Sequence, residues 1–108
     1  MYQEALDSNW VAPAGPNVAQ FETNLAKRTG HNHALAVSSG TAALHLALRV
    51  LCIGAGDRIY VSDLTFVATV QPIFYENAIP VLIDSEPVSW NMSPIALERK
   101  LAQDKAAG

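Results

Sequence analysis

Ala34-Leu35-Ala36-Val37-Ser38-Ser39-Gly40-Thr41-Ala42-Ala43-Leu44-His45-Leu46-Ala47-Leu48 is the stretch whose reading decides the fold. Its opening is a brief apolar run bounded by Gly30 and Gly40, the pattern of a short buried strand over residues 33–38. From Thr41 to Ile53 the sequence is apolar nearly all round, broken only by His45, Arg49 and Cys52, which predicts a mostly buried helix. Gly54-Ala55-Gly56-Asp57 supplies the turn chemistry expected beyond a helix C-terminus. Ile59-Tyr60-Val61 then centres a second strand over 58–62, completing a βαβ unit.

The same alternation continues outward. Val67, Val70, Ile73, Phe74 and Asn77 keep helical register over 66–78, with Pro72 either starting the regular part or kinking it. Residues 80–84 read as a third strand, and Pro94 fits the first turn of a last helix capped by Ser93. Upstream, residues 2–8 suit a short helix, and the prolines and glycine of 9–16 prevent regular structure there. Val18, Phe21, Leu25 and Ala26 form one helical stripe over 17–29, stopped by Gly30. Strands alternating with helices predict an α/β chain with a largely parallel sheet covered on both faces.

Composition narrows the function. With 108 residues and half of them apolar, the chain can bury the core of an ordinary domain. Seven Lys and Arg against ten Asp and Glu leave no basic stripe for a phosphate backbone, so nucleic acid is not an expected partner. Residues 1–9 lack an apolar leader segment, and no stretch reaches the roughly 18 apolar residues of a membrane span, so no membrane partner and a cytoplasmic location are expected. Cys52 excludes an internal disulfide and reads as a buried structural thiol. His31, His33 and His45 make no metal-ligand spacing with it, and no metal is expected.

Two segments carry chemistry. Ser39, Gly40, Thr41 and Ala42 join the first strand to the helix, where backbone N–H groups and the helix dipole favour an anion and the hydroxyls can donate to a phosphate. The residues leave a second reading open, a plain strand-to-helix turn with Ser39 as N-cap. A P-loop is ruled out because no Gly-Lys-Ser/Thr follows a glycine at the required spacing. A dinucleotide fingerprint is ruled out because Gly54-Ala55-Gly56 follows a helix and not a strand. Phe66, just past the second strand, sits at the sheet end where open α/β folds place ligands and could stack on a flat ring or belong to the core.

Taken in order, Gly15-Pro16-Asn17-Val18, Phe21-Glu22, Ser38-Ser39-Gly40-Thr41-Ala42-Ala43-Leu44-His45-Leu46-Ala47-Leu48, Gly54-Ala55-Gly56-Asp57 and Thr65-Phe66-Val67-Ala68-Thr69 resemble the DegT/DnrJ/EryC1/StrS sugar aminotransferases. The resemblance implies the large domain of a fold-type I pyridoxal 5'-phosphate-dependent transferase, working as a homodimer. In it Gly40, Thr41 and Ala42, with Ser39 as a weaker member, would hold the cofactor phosphate, and Phe66 would lie against the pyridine ring. Asn9-Trp10-Val11-Ala12-Pro13 and Trp90-Asn91-Met92-Ser93-Pro94 look like the branch acting on UDP-linked 4-keto-6-deoxy-N-acetylhexosamine in polysaccharide or glycan synthesis, with glutamate as amino donor. Trp10 is then a substrate-contact candidate, although both tryptophans could equally anchor their loops.

The resemblance further implies that residues 1–108 are an incomplete N-terminal portion of the domain, with the first strand on one side of the sheet, the next two on the other, and the central strands absent. Lys27, Lys100 and Lys105 stand in no motif matching the family's Schiff-base lysine and are expected on exposed helix faces or ends. No catalytic residue is therefore assigned, and the chain alone is expected not to transaminate. The alternative is a non-catalytic fragment that binds phosphate or a nucleotide sugar.

Overall fold

The computed structural model describes residues 2–10 and 12–107; Val11 of the 9–13 motif lies outside them, as do Met1 and Gly108. Two compact units divide at the Val37–Ser38 junction.

In the first unit, α1 (Tyr2–Asp7) and α2 (Pro16–Thr29) are joined by an irregular loop. Pro16 stands in the first turn of α2, where its missing N–H is not needed. Gly30 ends the helix in the left-handed region (φ 72°) and its N–H reaches back to the carbonyls of Ala26 and Lys27. Gly15, the residue before the helix, has φ 139° and lies under the Trp10 indole: a Cβ there would fall 2.2 Å from Nε1. Trp10 itself is tied into the loop, its Nε1 donating to the Ala14 carbonyl at 2.9 Å and its backbone N–H to Ala5 at 3.1 Å.

The expected strand at 33–38 is not formed. The segment has no regular structure and pairs with no strand among the described residues. Within this unit the Ala36 N–H is instead taken by the Glu22 carboxylate of α2 at 2.8 Å, and Leu35 is two-thirds exposed. A strand needs a neighbouring backbone, and local apolarity does not supply one.

The second unit contains α3 (Gly40–Val50), β1 (Arg58–Ser62), a 3-10 turn (Val67–Thr69), α4 (Gln71–Tyr75), β2 (Ile79–Ile83) and α5 (Pro94–Ala107). Strands β1 and β2 pair in parallel from Arg58↔Ile79 to Ser62↔Ile83. The 66–78 segment splits at Val70, and Pro72 sits in the first turn of α4. The core is Val61, Ile73 and Ala78, with Leu48, Ile53, Ile59 and Val70 packed against it. As expected, Ser93 caps α5: its Oγ accepts the Ala96 N–H at 3.2 Å. Helix α5 is anchored to β1 through Asp104, which accepts from Tyr60 Oη at 2.7 Å and pairs with Lys100 at 2.8 Å and Arg58 at 3.0 Å. Lys100 is thus partly covered and engaged, not on an open face.

Two further expectations are corrected. Helix α3 buries none of its residues: within the unit it packs against α4 and the 3-10 turn, and Val50 is 74% exposed. It also ends at Val50, with Leu51 as C-cap, so Cys52 falls outside it at φ 57° and is exposed, not buried.

The β2–α5 loop is closed by the Ser85–Met92 bridge and by Glu86, whose carboxylate accepts the Val88 and Ser89 amides at 2.8 and 2.6 Å. Bonding to Ser89, then to the Val88 and Ser89 amides, holds the Glu86 carboxyl below its ordinary range. Trp90, in the left-handed region at φ 63°, is exposed and donates its N–H to Glu86 O.

Candidate functional site

Ser39 precedes α3 in extended conformation (φ −161°), as an N-cap must. Its Oγ accepts the Ala42 N–H at 3.1 Å and its carbonyl accepts the Ala43 N–H at 3.1 Å. Of the orphan donors at this helix start, the N–H groups of Gly40 and Thr41 have no acceptor among the described residues. The space before Gly40 is open, with nothing within 4 Å of the position a Cβ would take. Ser39 acts as the cap that the plain-turn reading required, and its hydroxyl hydrogen remains available to a ligand.

The second wall is the start of the 3-10 turn. Phe66 is 75% exposed, and its carbonyl accepts the Thr69 N–H at 2.9 Å. The Thr65 and Thr69 hydroxyls join at 2.9 Å and fix the turn. Between the walls lies an open cleft of about 560 Å³, with Gly40, Thr41 and Leu44 on one side and Phe66, Ala68 and Thr69 on the other. The structure therefore brings Gly40, Thr41 and Phe66 to one cavity. Ser39 and Ala42 adjoin it without lining it, and the Ala42 amide is committed to the cap. Trp10 belongs to the first unit, where it borders an open pocket of about 640 Å³ with Asp7, Pro16, Asn17 and Gln20.

Sequence reading missed a buried polar group that pairs with α3. Glu76, at the end of α4, is 9% exposed, and its carboxylate meets His45 Nε2 at 2.6 Å and Arg49 NH1 at 3.4 Å, both on α3. His45 also packs edge-on against Tyr75 with ring centroids 5.3 Å apart. The available signal was the pair His45 and Arg49, four apart in an otherwise apolar helix and so on one face.

The profile of the DegT/DnrJ/EryC1/StrS aminotransferase family matches residues 1–107. The chain belongs to that family. It is 58% identical over 105 residues to EpsN of Bacillus subtilis, a candidate pyridoxal phosphate-dependent aminotransferase, covering 97% of this chain and 27% of EpsN. It is 39% identical over 104 residues to the GDP-perosamine synthase of Escherichia coli O157:H7, covering 96% and 29%. Among solved structures, a DegT DnrJ EryC1 StrS aminotransferase from Brucella abortus superposes with a TM-score of 0.88 at 33% identity, over 98% of this chain and 28% of that one. Spr1654 of Streptococcus pneumoniae, solved in PLP, PMP and apo forms, superposes at 0.82 in its PLP form with 31% identity, over 91% and 26%. The chain spans about a quarter of the length of the curated relatives it matches. Its α/β fold is that of the fold-type I pyridoxal phosphate-dependent aminotransferases. Among the described residues no helix is long and apolar enough to cross a membrane.

Proposed function

We propose that this chain supplies the phosphate-holding turn and the ring-facing aromatic of a pyridoxal 5'-phosphate-dependent sugar aminotransferase in polysaccharide or glycan biosynthesis. The observation that carries the reading is the shared cleft: Gly40 and Thr41, whose amides have no acceptor among the described residues, line the same cavity as the exposed Phe66. A flat cofactor with a dianionic phosphate suits both, since amides and the Ser39 and Thr41 hydroxyls at a helix start satisfy the phosphate and the aromatic wall accepts a heteroaromatic ring. The space at Gly40 is open, so no protein atom obstructs that approach.

The donor set thus fits the group. When bound, it would supply the amine exchange and the electron sink that no side chain provides. This chain's residues do the rest of what can be assigned to them: Gly40 and Thr41 hold the phosphate, Ser39 keeps the turn in shape through Ala42, and Phe66 orients the ring. Among the described residues no lysine lines the cleft, so the chain alone is expected to bind without turnover. The substrate in this proposal is a nucleotide-linked keto sugar, UDP-4-keto-6-deoxy-N-acetylhexosamine, with glutamate as donor, in a cytoplasmic homodimer. Trp10 is a substrate contact only if its indole leaves the Ala14 carbonyl, and its present bonds favour the loop-anchor role.

Titrating the chain with pyridoxamine phosphate and, separately, with UDP tests the proposal. Tighter binding of pyridoxamine phosphate, with amide shifts centred on residues 40–42 and 66, is the expected result. Equal or tighter binding of UDP would favour a non-catalytic nucleotide-sugar binder.

A further inference from the structure

The two walls of the cleft are built on separate elements, and one buried side chain joins them. On α3, Thr41, His45 and Arg49 follow at intervals of four and share a face. Thr41 lines the cleft; His45 and Arg49 both reach Glu76. Phe66 caps the start of the 3-10 turn, Val70 both ends that turn and precedes α4, and Glu76 caps the far end of α4, so that Glu76 closes the two short helices that begin at the aromatic wall. A carboxylate removed from water between two helices is an unfavourable way to obtain adhesion, because an apolar residue of similar size packs there without the desolvation penalty. What the carboxylate gives is geometry, fixing α3 against α4 at the 2.6 Å reach of one bond.

We infer that Glu76, held by His45, is a positioning residue that sets the spacing between the phosphate-holding turn and Phe66. The inference rests on the cofactor reading above and names the device that makes its two halves act together. Arg49 is two-thirds exposed and 3.4 Å away, so water screens its contribution and His45 is the principal partner. Inorganic phosphate needs only the α3 end. Pyridoxamine phosphate needs the turn and the aromatic wall at a fixed separation.

The test is therefore the preference for pyridoxamine phosphate over inorganic phosphate, measured by titration of the whole chain while far-UV circular dichroism reports folding. Glu76→Ala is expected to lower that preference by roughly two- to twelve-fold, the worth of one aromatic stack, and to leave phosphate affinity within about twofold. Glu76→Gln keeps a carbonyl acceptor for His45 and should restore most of the preference. If Glu76→Ala does not fold, His45→Ala, in which Glu76 keeps Arg49, makes the same measurement, with His45→Gln as its rescue. A proportional loss for both ligands, or an unchanged preference in the alanine variants, overturns the inference while the cofactor reading stands. A wild-type chain with no preference overturns both.

Discussion

Replacing Ser39 separates the two jobs that the turn performs. In Ser39→Ala the bond from the Ala42 N–H to Oγ is lost, and loss of such a cap costs about 1 kcal/mol, with a range of roughly 0.5–2. For a domain of this size that shifts a urea midpoint by roughly 0.3–1 M. The same change releases the Ala42 amide beside those of Gly40 and Thr41, replacing the lost hydroxyl donor, so inorganic phosphate should bind within about threefold of wild type. Ser39→Asp reverses the pattern. Aspartate caps as well as serine and should hold stability to within about 0.5 kcal/mol, but it sets a carboxylate against a phosphate dianion. Each such charge pair at about 4 Å opposes binding by about 1 kcal/mol in water and about 4 near a protein surface, so affinity should fall at least about fivefold. Urea unfolding followed by circular dichroism, paired with phosphate titration, reads both. Unchanged stability in Ser39→Ala would show that the cap bond is not made in solution. Undiminished phosphate binding by Ser39→Asp would show that the anion docks elsewhere.

Other consequences follow from the packing. Ile73 is 2% exposed at the centre of the core, and Ile73→Ala should destabilise the chain by about 2–5 kcal/mol, enough to unfold it in a denaturant titration. The Lys100 hydrogen bond, then that of Tyr60, hold the Asp104 carboxyl below its ordinary value. Its contribution is therefore complete above the unfolded-state value near pH 4 and is lost as the pH falls through the lower folded value, so the signals of α5 should broaden only in that acid window, and Asp104→Asn should abolish this response. Gly15→Ala places a Cβ against the Trp10 indole at a φ that L-residues avoid, so it should free the tryptophan ring, visible as a red-shifted emission; an unchanged spectrum would contradict the loop geometry.

What the sequence reveals here is local, and what it hides is pairing across distance. Gly30 and Ser93 mark the end of α2 and the start of α5 because caps are chemistry of one to three residues. Strands β1 and β2 are legible from short apolar runs between turns, and the Ser39 turn from its residue types. The 33–38 run looks the same as β1 locally, but no backbone in the described chain pairs with it, and the Glu22 carboxylate takes one of its amides. Apolarity all round α3 suggests burial, yet a helix is buried only where something covers it, and here Leu48 packs on the core while Leu44 and Leu46 stay exposed. Cys52 illustrates the same limit, being apolar by neighbourhood and exposed by one left-handed turn. Glu76 lies 31 residues from His45 and belongs to no motif, so only the polar interruptions at His45 and Arg49 hinted that a partner existed.

The most direct measurement is an intermolecular proton contact. With pyridoxamine phosphate bound, nuclear Overhauser transfer between its pyridine hydrogens and the Phe66 ring, together with amide shifts at Gly40 and Thr41 that track the same binding curve, is the predicted result. Transfer to side chains outside the 40–69 cleft, or shifts at Gly40 and Thr41 that do not saturate with the ligand, would contradict the account.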